Sequence, residues 1–309
     1  MLLQIQAYFA SLISVLRNSI QCGPHWFIGK VVGFEESPTT TLSSTSHESY
    51  AVTTLYENFP FDPYVDLAVV GIGMTGIVFK IDDYRVVKKA KVYALENLTE
   101  PERLNAQYMN EINTSTLLHE TQVYKRLGYN KGIVSCTCIS PYGIELEFSK
   151  QGDLQSYIEC RTEPPRSVKV EWILSLIRTL SYVHSRKVFL DEIALRNILV
   201  FQDQLKFVDF GQSILLPLTA DMNTIRENDL TARIEILHLG WIIYSIAVWK
   251  AHHYYFFSPE HSGWPKPDVL PKTDNLFCGH VIEKCLSGDY AGADALEKDA
   301  RSVLGGLGS

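Results

Sequence analysis

The strongest constraint on this chain comes from two short segments in its second half, which occur in a fixed order. Residues 190–200 read Leu-Asp-Glu-Ile-Ala-Leu-Arg-Asn-Ile-Leu-Val, and residues 209–211 read Asp-Phe-Gly. The apolar run after Asn197 and the stretch that ends at Val208 predict two short strands, with a turn at residues 202–204. The Asp-Phe-Gly triplet alone carries little information, so the ordered combination is the informative feature.

The residue types in these two segments suit the transfer of a phosphoryl group. That reaction needs magnesium ions held by a carboxylate and an amide that face each other across the phosphates, while a third group orients the attacking hydroxyl. Asp209 and Asn197 are the predicted metal pair. The spacing resembles the catalytic loop and metal-binding turn of the protein kinase superfamily, in which the base lies five residues before the asparagine. That position is Glu192, whereas Asp191 is one position away from it.

An upstream motif contains Gly71, Gly73 and Gly76 within residues 69–79. In the kinase family such a hairpin lets backbone amides approach the phosphates, because glycine has no side chain. A dinucleotide-binding fold is the alternative, but it requires a helix to begin at the last glycine. Residues 77–81 instead alternate and are rich in β-formers, which favours a strand.

A turn at residues 82–83 leads into residues 85–88, so the order is strand, glycine hairpin and strand, as in kinases. The resemblance implies that Lys88, on the third strand, presents its ammonium group to the α- and β-phosphates. Lys89 is the rival for this role. A solvated lysine on an edge strand is the ordinary alternative.

A helix is predicted after this strand, and Gly128 is expected to end it. Its apolar stripe has members at spacings of three, four or seven, namely Leu117, Leu118, Val123, Tyr124 and Leu127. The resemblance implies that Glu120, on this helix, pairs with Lys88 and fixes its reach. An ordinary surface glutamate would need no such explanation. Tyr124 is expected to stack toward Phe210.

Residues 144–154 resemble the hinge of the kinase fold, an extended segment whose backbone groups bind adenine before a capped helix begins. The resemblance implies that Leu146 is the gatekeeper and that Glu147 and Ser149 supply backbone contacts. Asp153 is expected either to cap the next helix or to face the ribose. Three aliphatic side chains that would be equally ordinary in a core are expected to enclose the purine, namely Val78, Val86 and Leu199.

Two later segments predict helices of the larger lobe. Residues 172–183 are apolar at steps of four and seven and lead to His184, which we expect to be a structural residue at the helix end. Residues 234–244 resemble the buried central helix of the large kinase lobe, with Glu235 where the family usually carries Asp. Residues 278–290 resemble the late helices of divergent protein-kinase-like proteins of filamentous fungi, so the resemblance runs from about residue 66 to about residue 303.

The resemblance implies an α+β chain with the bilobal protein-kinase fold, and the length and composition are compatible with it. The chain has 309 residues, a formal net charge of −7 and 46% hydrophobic residues, which is enough for two lobes of core. We predict an N-terminal helix and flexible linker over residues 1–62 and a kinase-like domain over residues 63–309. In that domain a small β-rich N-lobe with one main helix would occupy about residues 63–147, and a larger, mostly helical C-lobe about residues 150–309.

Charge and cysteine usage limit the expected partners and compartment. The acidic balance and the lack of a Lys/Arg cluster argue against nucleic-acid binding, and the apolar segments are too short to span a membrane. The six cysteines form no pair with zinc-like spacing, and we interpret them as reduced core thiols. Free thiols and an ATP-dependent fold indicate a cytoplasmic or nuclear protein. The apolar stripe of residues 2–16 is expected to dock on the small lobe. A targeting segment is the alternative, although the stripe lacks the basic start of a secretory signal.

Several departures from the kinase pattern bear on activity. Leu190 and Asp191 replace the usual His and Arg, so this position has no arginine to receive a phosphorylated activation loop. The chain from Asp209 to Glu235 is short for an activation segment, and residues 219–232 lack the usual Ala-Pro-Glu. Glu192 keeps the charge of the usual Asp but adds one methylene, and a misplacement of about 1 Å can lower a rate roughly 100-fold.

Three functional hypotheses remain open at this stage. The first is a protein kinase that uses ATP and Mg2+ on a protein substrate, with Ser or Thr favoured over Tyr as acceptor. Its catalytic residues would be Glu192, Lys88, Glu120 and Asn197. The second is a nucleotide-binding pseudokinase that acts as a scaffold or regulatory module. The third, a small-molecule kinase of the aminoglycoside type, shares the lobe plan but usually keeps an Asp as base.

Overall fold

The computed structural model describes residues 62–202, 204–258 and 263–306. The predicted N-terminal helix and linker therefore lie outside the described residues, except for Asp62. The described chain forms two compact units. We call residues 62–121 and 136–148 the sheet unit, and the described residues from 122 to 135 and from 149 onward the helical unit.

The sheet unit is built on a five-stranded antiparallel sheet with the strand order β1-β2-β3-β5-β4. Its strands are β1 Val69–Ile72, β2 Gly76–Lys80, β3 Arg85–Ala90, β4 Cys136–Ser140 and β5 Gly143–Glu147. The turn between β2 and β3 forms because Asp82 Oδ1 accepts the backbone N–H groups of Tyr84 and Arg85, both at 2.8 Å. The order of strand, glycine hairpin and strand that the sequence predicts is confirmed.

Strand register divides the side chains of the sheet between two faces. Val78 lies opposite Lys88, and Val86 lies opposite Leu146. Because alternate residues of a strand share a face, these four side chains project from the same face of the sheet. Lys89 projects from the other face.

The chain before β1 is attached to the face that carries Lys89. Asp62 Oδ2 lies 2.5 Å from Lys89 Nζ, and the Tyr64 hydroxyl donates to Glu145 Oε1 at 2.6 Å. Burial and the neighbouring Glu145 carboxylate raise the pKa of Tyr64 to about 12. Lys89 therefore has an acidic partner on the opposite face from Lys88, and this geometry favours Lys88 for the phosphate-binding role that stays a prediction.

Helix α1, Glu100–Leu127, is the predicted helix, and it begins in the sheet unit and ends in the helical unit. Leu117, Val123, Tyr124 and Leu127 are buried, as the apolar stripe predicts. Leu118 is 59% exposed, so its inclusion in the stripe was wrong. The helix ends at Gly128, which adopts φ +64, a conformation that glycine reaches without the steric cost of a side chain.

Besides the end of α1, the helical unit contains five α-helices among the described residues. They are α2 Leu154–Cys160, α3 Arg166–Ser185, α4 Ala232–Val248, α5 Gly279–Ser287 and α6 Ala293–Leu304. Two antiparallel strand pairs lie between α3 and α4 in the chain. Strand β6 Val188–Phe189 pairs with β9 Ile214–Leu215, and β7 Ile198–Phe201 pairs with β8 Gln204–Phe207.

Helices α3 and α4 supply much of the core of the helical unit. Most of their predicted apolar positions are buried, including Trp172, Leu176, Leu180 and Ile243. Trp241 and Tyr244 are the exceptions and are half-buried. At the end of α4, the buried Lys169 ammonium donates to the Ala247 carbonyl oxygen at 2.7 Å. Within the described residues, no helix is both long and apolar enough to cross a membrane.

A buried histidine on α4 anchors the chain that follows this helix. His238 Nε2 accepts the Phe256 backbone N–H at 3.0 Å, and its ring stacks on Tyr255 at a centroid distance of 5.8 Å. Burial alone lowers the pKa of His238 from 6.5 to about 4. The imidazole is therefore neutral at physiological pH, which suits its role as a hydrogen-bond acceptor.

The interpretation of the cysteines as core thiols holds for only part of the described set. Cys278 and Cys285 are buried, and burial raises the pKa of Cys278 to about 12. Cys138 and Cys160 are exposed, so these two thiols do not belong to the core. Cys22 lies outside the described residues.

Candidate active site

The sheet unit contributes a buried ion pair between the lysine of β3 and an acid of α1. Lys88 Nζ lies 2.7 Å from Glu120 Oε2, and the Glu120 side chain is completely buried. The ion pair predicted from the sequence is confirmed. A Cβ atom at Gly76 would lie 3.1 Å from Lys88 Cε, so the glycine leaves room for the lysine chain beside β2.

The predicted glycine-rich hairpin is formed by β1 and β2. Gly71 pairs with Val78 in the register of these strands, and the Gly73 N–H donates to the Gly76 carbonyl oxygen at 2.8 Å to close the turn. The hairpin borders the face from which Val78 and Lys88 project. Contacts of its amides with phosphates stay a prediction.

The end of β5 and the start of α2 have the extended and then capped form that the hinge resemblance implies. In the sheet unit, the Phe148 N–H donates to the Tyr84 carbonyl oxygen at 2.7 Å and continues the strand pairing. In the helical unit, the Ser149 hydroxyl donates to the Val200 carbonyl oxygen. Backbone contacts of Glu147 and Ser149 with adenine stay a prediction.

Asp153 is the N-cap of α2. Its Oδ1 accepts the Ser156 N–H and its Oδ2 accepts the Ser156 hydroxyl, both at 2.9 Å. The capping alternative is therefore confirmed, and the contact with a ribose stays a prediction. Asp153 also forms a backbone bridge with Leu199, so it lies beside the strand that follows the predicted catalytic loop.

The β7–β8 hairpin brings the backbones of the predicted metal pair together at its open end. Ile198 lies opposite Phe207, and the Val208 N–H donates to the Asn197 carbonyl oxygen at 3.0 Å. Asn197 and Asp209 therefore flank the same open end of the hairpin. Asp209 adopts φ +65, an uncommon conformation for a non-glycine residue that turns the chain sharply at this point.

The predicted base is held by its neighbours in the same loop. Asn197 Nδ2 donates to the Glu192 carbonyl oxygen at 3.1 Å and lies 3.3 Å from Glu192 Oε2. The Arg196 guanidinium forms an ion pair with Glu192 Oε1. Both carboxylate oxygens of Glu192 thus have donors from residues of the same loop.

A buried acid on α4 supports the start of this loop. Glu235 Oε1 accepts the Leu190 N–H at 2.5 Å and lies 3.3 Å from the Asp191 N–H. Its other oxygen, Oε2, lies 2.7 Å from His184 Nε2. Glu235 and His184 therefore fix the backbone immediately before Glu192. Sequence reasoning noted both residues but missed this function, for which the one available signal was an acid inside a strongly apolar helix.

The donor types at the open end of the hairpin fit a magnesium ion. Mg2+ prefers oxygen ligands, usually one or two from the protein together with phosphate oxygens and water. The NH2 group of Asn197 is used on Glu192, so its Oδ1 atom is the one that it would offer to a metal. The Asp209 carboxylate would be the second protein ligand. The ion would neutralise phosphate charge during transfer.

The chain after Asp209 is packed into the helical unit. The Phe210 ring contacts Tyr124 edge-on, with centroids 5.0 Å apart, which confirms the predicted contact. Farther on, Ile214, Leu216, Leu230 and Ile234 form a buried cluster with Phe189. The segment reaches α4 without an Ala-Pro-Glu sequence, and Thr231 caps that helix by accepting the Ile234 N–H.

Comparison with known proteins identifies the family. Residues 64–232 match the family model described as protein kinase domain. This stretch is more than half of the chain, and it contains the glycine hairpin, the ion pair and the catalytic loop. The chain belongs to the protein kinase family, and its function is kinase-like. The family consists of ATP-binding transferases whose typical members use ATP with Mg2+.

Relatives among characterised proteins are distant and much longer. The chain is 25% identical over 212 residues to mitogen-activated protein kinase kinase kinase dlk-1 of Caenorhabditis elegans, which covers 68% of this chain and 20% of that protein. It is 25% identical over 202 residues to serine/threonine-protein kinase Nek11 of Macaca fascicularis, and this alignment covers 62% of this chain and 29% of that protein. It is 28% identical over 123 residues to fibroblast growth factor receptor 1 of Xenopus laevis, and this alignment covers 33% of this chain and 15% of that protein.

The chain thus spans less than a third of the length of these relatives. The rest of each relative lies outside the alignment. The fungal affinity suggested by residues 278–290 stays a prediction.

Proposed function

We propose that this protein transfers the γ-phosphoryl group of ATP to a hydroxyl of a protein substrate. Lys88 binds the phosphates, Glu120 holds Lys88, and Glu192 orients the acceptor hydroxyl. Asn197 and Asp209 hold Mg2+. The single observation that carries the proposal is the position of Asn197 and Asp209 at one end of the β7–β8 hairpin, with Glu192 hydrogen-bonded to Asn197.

Nucleotide binding is the part of the proposal with the most support. Val78, Val86 and Leu146 share one face of the sheet with Lys88, so an apolar surface adjoins an ammonium group. We assign these aliphatic side chains, together with Leu199, to the purine. Glycine residues 71, 73 and 76 would approach the phosphates through their backbone amides, and Glu147, Ser149 and Asp153 would contact the base and ribose.

Phosphoryl transfer is feasible with glutamate as the base. A general base contributes about 10²- to 10⁴-fold, while metal and positioning supply much of the rest of the acceleration. The additional methylene of Glu192 lengthens the side chain, and its bonds to Arg196 and Asn197 hold the carboxylate. These contacts support the proposal that the Glu192 carboxylate occupies the place of the aspartate carboxylate in other kinases.

The acceptor is proposed to be Ser or Thr rather than Tyr. Among the similar proteins, the macaque relative is named a serine/threonine-protein kinase and its alignment covers 62% of the chain. A protein of this type would act in the cytoplasm or nucleus, where ATP and its protein substrates are found. No contact with nucleic acid is part of the proposal.

A pseudokinase is the second candidate, and one observation favours it. Both oxygens of Glu192 already have donors, so an incoming hydroxyl would have to compete with Arg196 or Asn197. A chain of this kind would bind nucleotide through Lys88 and Asp209 but would present a surface to a partner instead of transferring phosphate.

A transfer assay with matched variants separates the two candidates. The full chain is incubated with Mg2+ and ATP labelled at the γ-phosphate, with casein as a generic acceptor, and labelled protein is counted. We expect Asp209→Asn and Glu192→Gln each to lower the rate about 100- to 1000-fold. Glu171→Gln, an exposed acid on α3, is the control and should keep the wild-type rate.

The outcomes assign the function directly. Equal background for all four proteins would contradict the transferase and, if Mg2+-dependent ATP binding persists, support the pseudokinase. Hydrolysis of the labelled casein and separation of its phosphoamino acids then tests the preference for Ser and Thr.

A further inference from the structure

The segment that follows Asp209 is contacted at both of its ends by the last two turns of α1. Phe210 meets the Tyr124 ring at a centroid distance of 5.0 Å. Six residues later, the Leu216 carbonyl oxygen accepts a hydrogen bond from Arg126 Nη1 at 3.1 Å. Tyr124 and Arg126 are only two residues apart on α1, so one short stretch of helix contacts both ends of the segment from 210 to 216.

A second arginine fixes the residue that makes this contact. Arg186, just after α3, donates from Nε and Nη2 to the Arg126 carbonyl oxygen at 2.9 and 2.8 Å. That carbonyl belongs to the last turn of α1, where backbone oxygens lack partners within the helix. Arg186 therefore binds the backbone of Arg126, and Arg126 binds the backbone of Leu216. We call these three residues the arginine latch.

Strand pairing and burial complete the attachment of the segment. Ile214 and Leu215 pair with β6, and the Leu216 N–H donates to the Lys187 carbonyl oxygen at 2.9 Å. Both backbone polar groups of Leu216 are therefore bonded to protein. Its side chain is only 2% exposed and packs in the cluster with Phe189.

The charges near the catalytic loop do not favour phosphorylation as the means of ordering the segment after Asp209. Asp191 is buried and occupies the position at which the kinase family usually has the arginine that receives a phosphorylated residue. An added phosphate would meet a like charge there.

The hydroxyls in the segment are largely engaged already. Ser213 is buried and its Oγ donates to the Leu190 carbonyl oxygen at 3.4 Å, and Thr224 Oγ1 lies 3.1 Å from Asp221 Oδ2. Thr231 caps α4. Thr219 and Thr224 are the exposed threonines of the segment. Thr224 is bonded to Asp221, so Thr219 is the site chosen for the test below.

We infer that Arg126 is a positioning residue for phosphoryl transfer, and that the arginine latch orders the segment after Asp209 without phosphorylation. Arg126 acts through the backbone of Leu216 and does not touch the reacting atoms. This regulatory assignment rests on the proposed transferase function. The latch itself is a contact within the helical unit and can be tested without activity.

Hydrogen exchange tests the latch directly. In Arg126→Met, the peptide that contains Leu216 should exchange its amides at least about ten-fold faster than in the wild type. Without the bond from Arg126 to the Leu216 carbonyl oxygen, the segment should open more often and break the bond from the Leu216 N–H to Lys187. Arg126→Lys should restore part of the protection, because lysine keeps a charged donor. The restoration should be incomplete, because the ammonium lacks the planar geometry of the guanidinium. Lys125→Met, an exposed neighbour on α1, is the matched control and should match the wild type.

Equal exchange of Leu216 in the wild type and in both Arg126→Met and Arg186→Met would overturn the latch. Arg186→Met is included because it leaves the Arg126 side chain in place, so a general folding failure of one variant does not decide the outcome. This arm needs no transferase activity, and its failure is therefore distinct from failure of the proposed function.

Activity measurements test independence from phosphate. Protein treated with a phosphatase, and the variant Thr219→Ala, should each keep the wild-type kcat, whereas Arg126→Met should lower kcat and leave the KM for ATP within about two-fold. Loss of activity after phosphatase treatment or in Thr219→Ala would show that a phosphate orders the segment and would overturn the inference.

Discussion

Two ion pairs, one in each unit, differ in burial and in how closely their residue types follow the kinase pattern. Lys88 and Glu120 have side chains that are 12% and 0% exposed, and their residue types are those of the family. Arg196 and Glu192 are 42% and 36% exposed, and Glu192 replaces the usual aspartate. The departure thus occurs where the side chains remain in contact with solvent, and the buried pair keeps the usual types.

The difference follows from the energetics of charge burial. Removal of one partner from a buried pair leaves an uncompensated charge and costs about 3–5 kcal/mol, whereas exposed pairs contribute only about 0.2–1 kcal/mol. A substitution at the exposed pair therefore changes chemistry without endangering the fold. On this account the sheet unit retains nucleotide binding, while the loop around Glu192 is the part that can vary.

The largest expected effect is that of breaking the buried pair. Lys88→Met should lower the free energy of unfolding by about 3–5 kcal/mol, because Glu120 would stay buried without its cation. It should also abolish the stabilisation by ATP. Urea denaturation, with and without ATP, measures both quantities.

The double variant Lys88→Met/Glu120→Met is the control for this prediction. It removes both charges, so most of the lost stability should return while ATP binding stays absent. Equal stability of Lys88→Met and the wild type would mean that the pair is not buried in solution.

The buried His238 side chain should make the free energy of unfolding depend on pH. His238 has its pKa lowered from 6.5 to about 4 by burial, so the folded protein resists protonation of this ring. The stabilisation that neutral His238 gives the folded protein is fully present above pH 6.5. It is lost as the pH falls toward 4, because the unfolded chain binds the proton more readily than the folded one. The loss should reach about 3 kcal/mol near pH 4.

Measurement of unfolding free energies between pH 7 and pH 4 checks this effect. His238→Gln retains an acceptor for the Phe256 N–H but does not titrate, so its profile should be flatter than that of the wild type over this range. Parallel profiles for the two proteins would contradict the assignment of the acid sensitivity to His238.

The exposed pair should show a small effect on stability and a large one on rate. Glu192→Gln should change the free energy of unfolding by less than about 1 kcal/mol, since the ion pair with Arg196 is exposed. The same change should lower the transfer rate about 100-fold or more. A loss of several kcal/mol in urea denaturation would break the contrast between the two pairs.

The smallest expected effect concerns the outer face of α1. Leu118→Gln should change the free energy of unfolding by no more than about 0.5 kcal/mol, because its side chain is exposed. A thermal denaturation curve measures this directly, and a loss above about 2 kcal/mol would indicate that another part of the protein covers this position.

Leu118 also illustrates what the sequence could and could not predict. Adjacent leucines at 117 and 118 both satisfy a spacing of three, four or seven relative to other apolar residues, so spacing alone did not choose between them. The same ambiguity applied to Lys88 and Lys89. In that case strand alternation separates the two side chains onto opposite faces, and Asp62 occupies one of them.

The ion pair, the β7–β8 hairpin and the buried α4 followed from local patterns combined with the kinase resemblance. The support of Leu190 by Glu235 and the bond from Arg126 to Leu216 did not, because each joins residues far apart in sequence. Arginines at helix ends are common surface residues, and only tertiary structure shows which backbone oxygen they reach.

Calorimetric titration of the full chain with ATP, in the presence of Mg2+ and of EDTA, tests the central claim most directly. The account predicts binding that requires Mg2+ in the wild type and is at least about ten-fold weaker in Asp209→Asn, since the carboxylate would no longer hold the ion. Binding of equal strength with and without the metal, or in the wild type and Asp209→Asn, would contradict it.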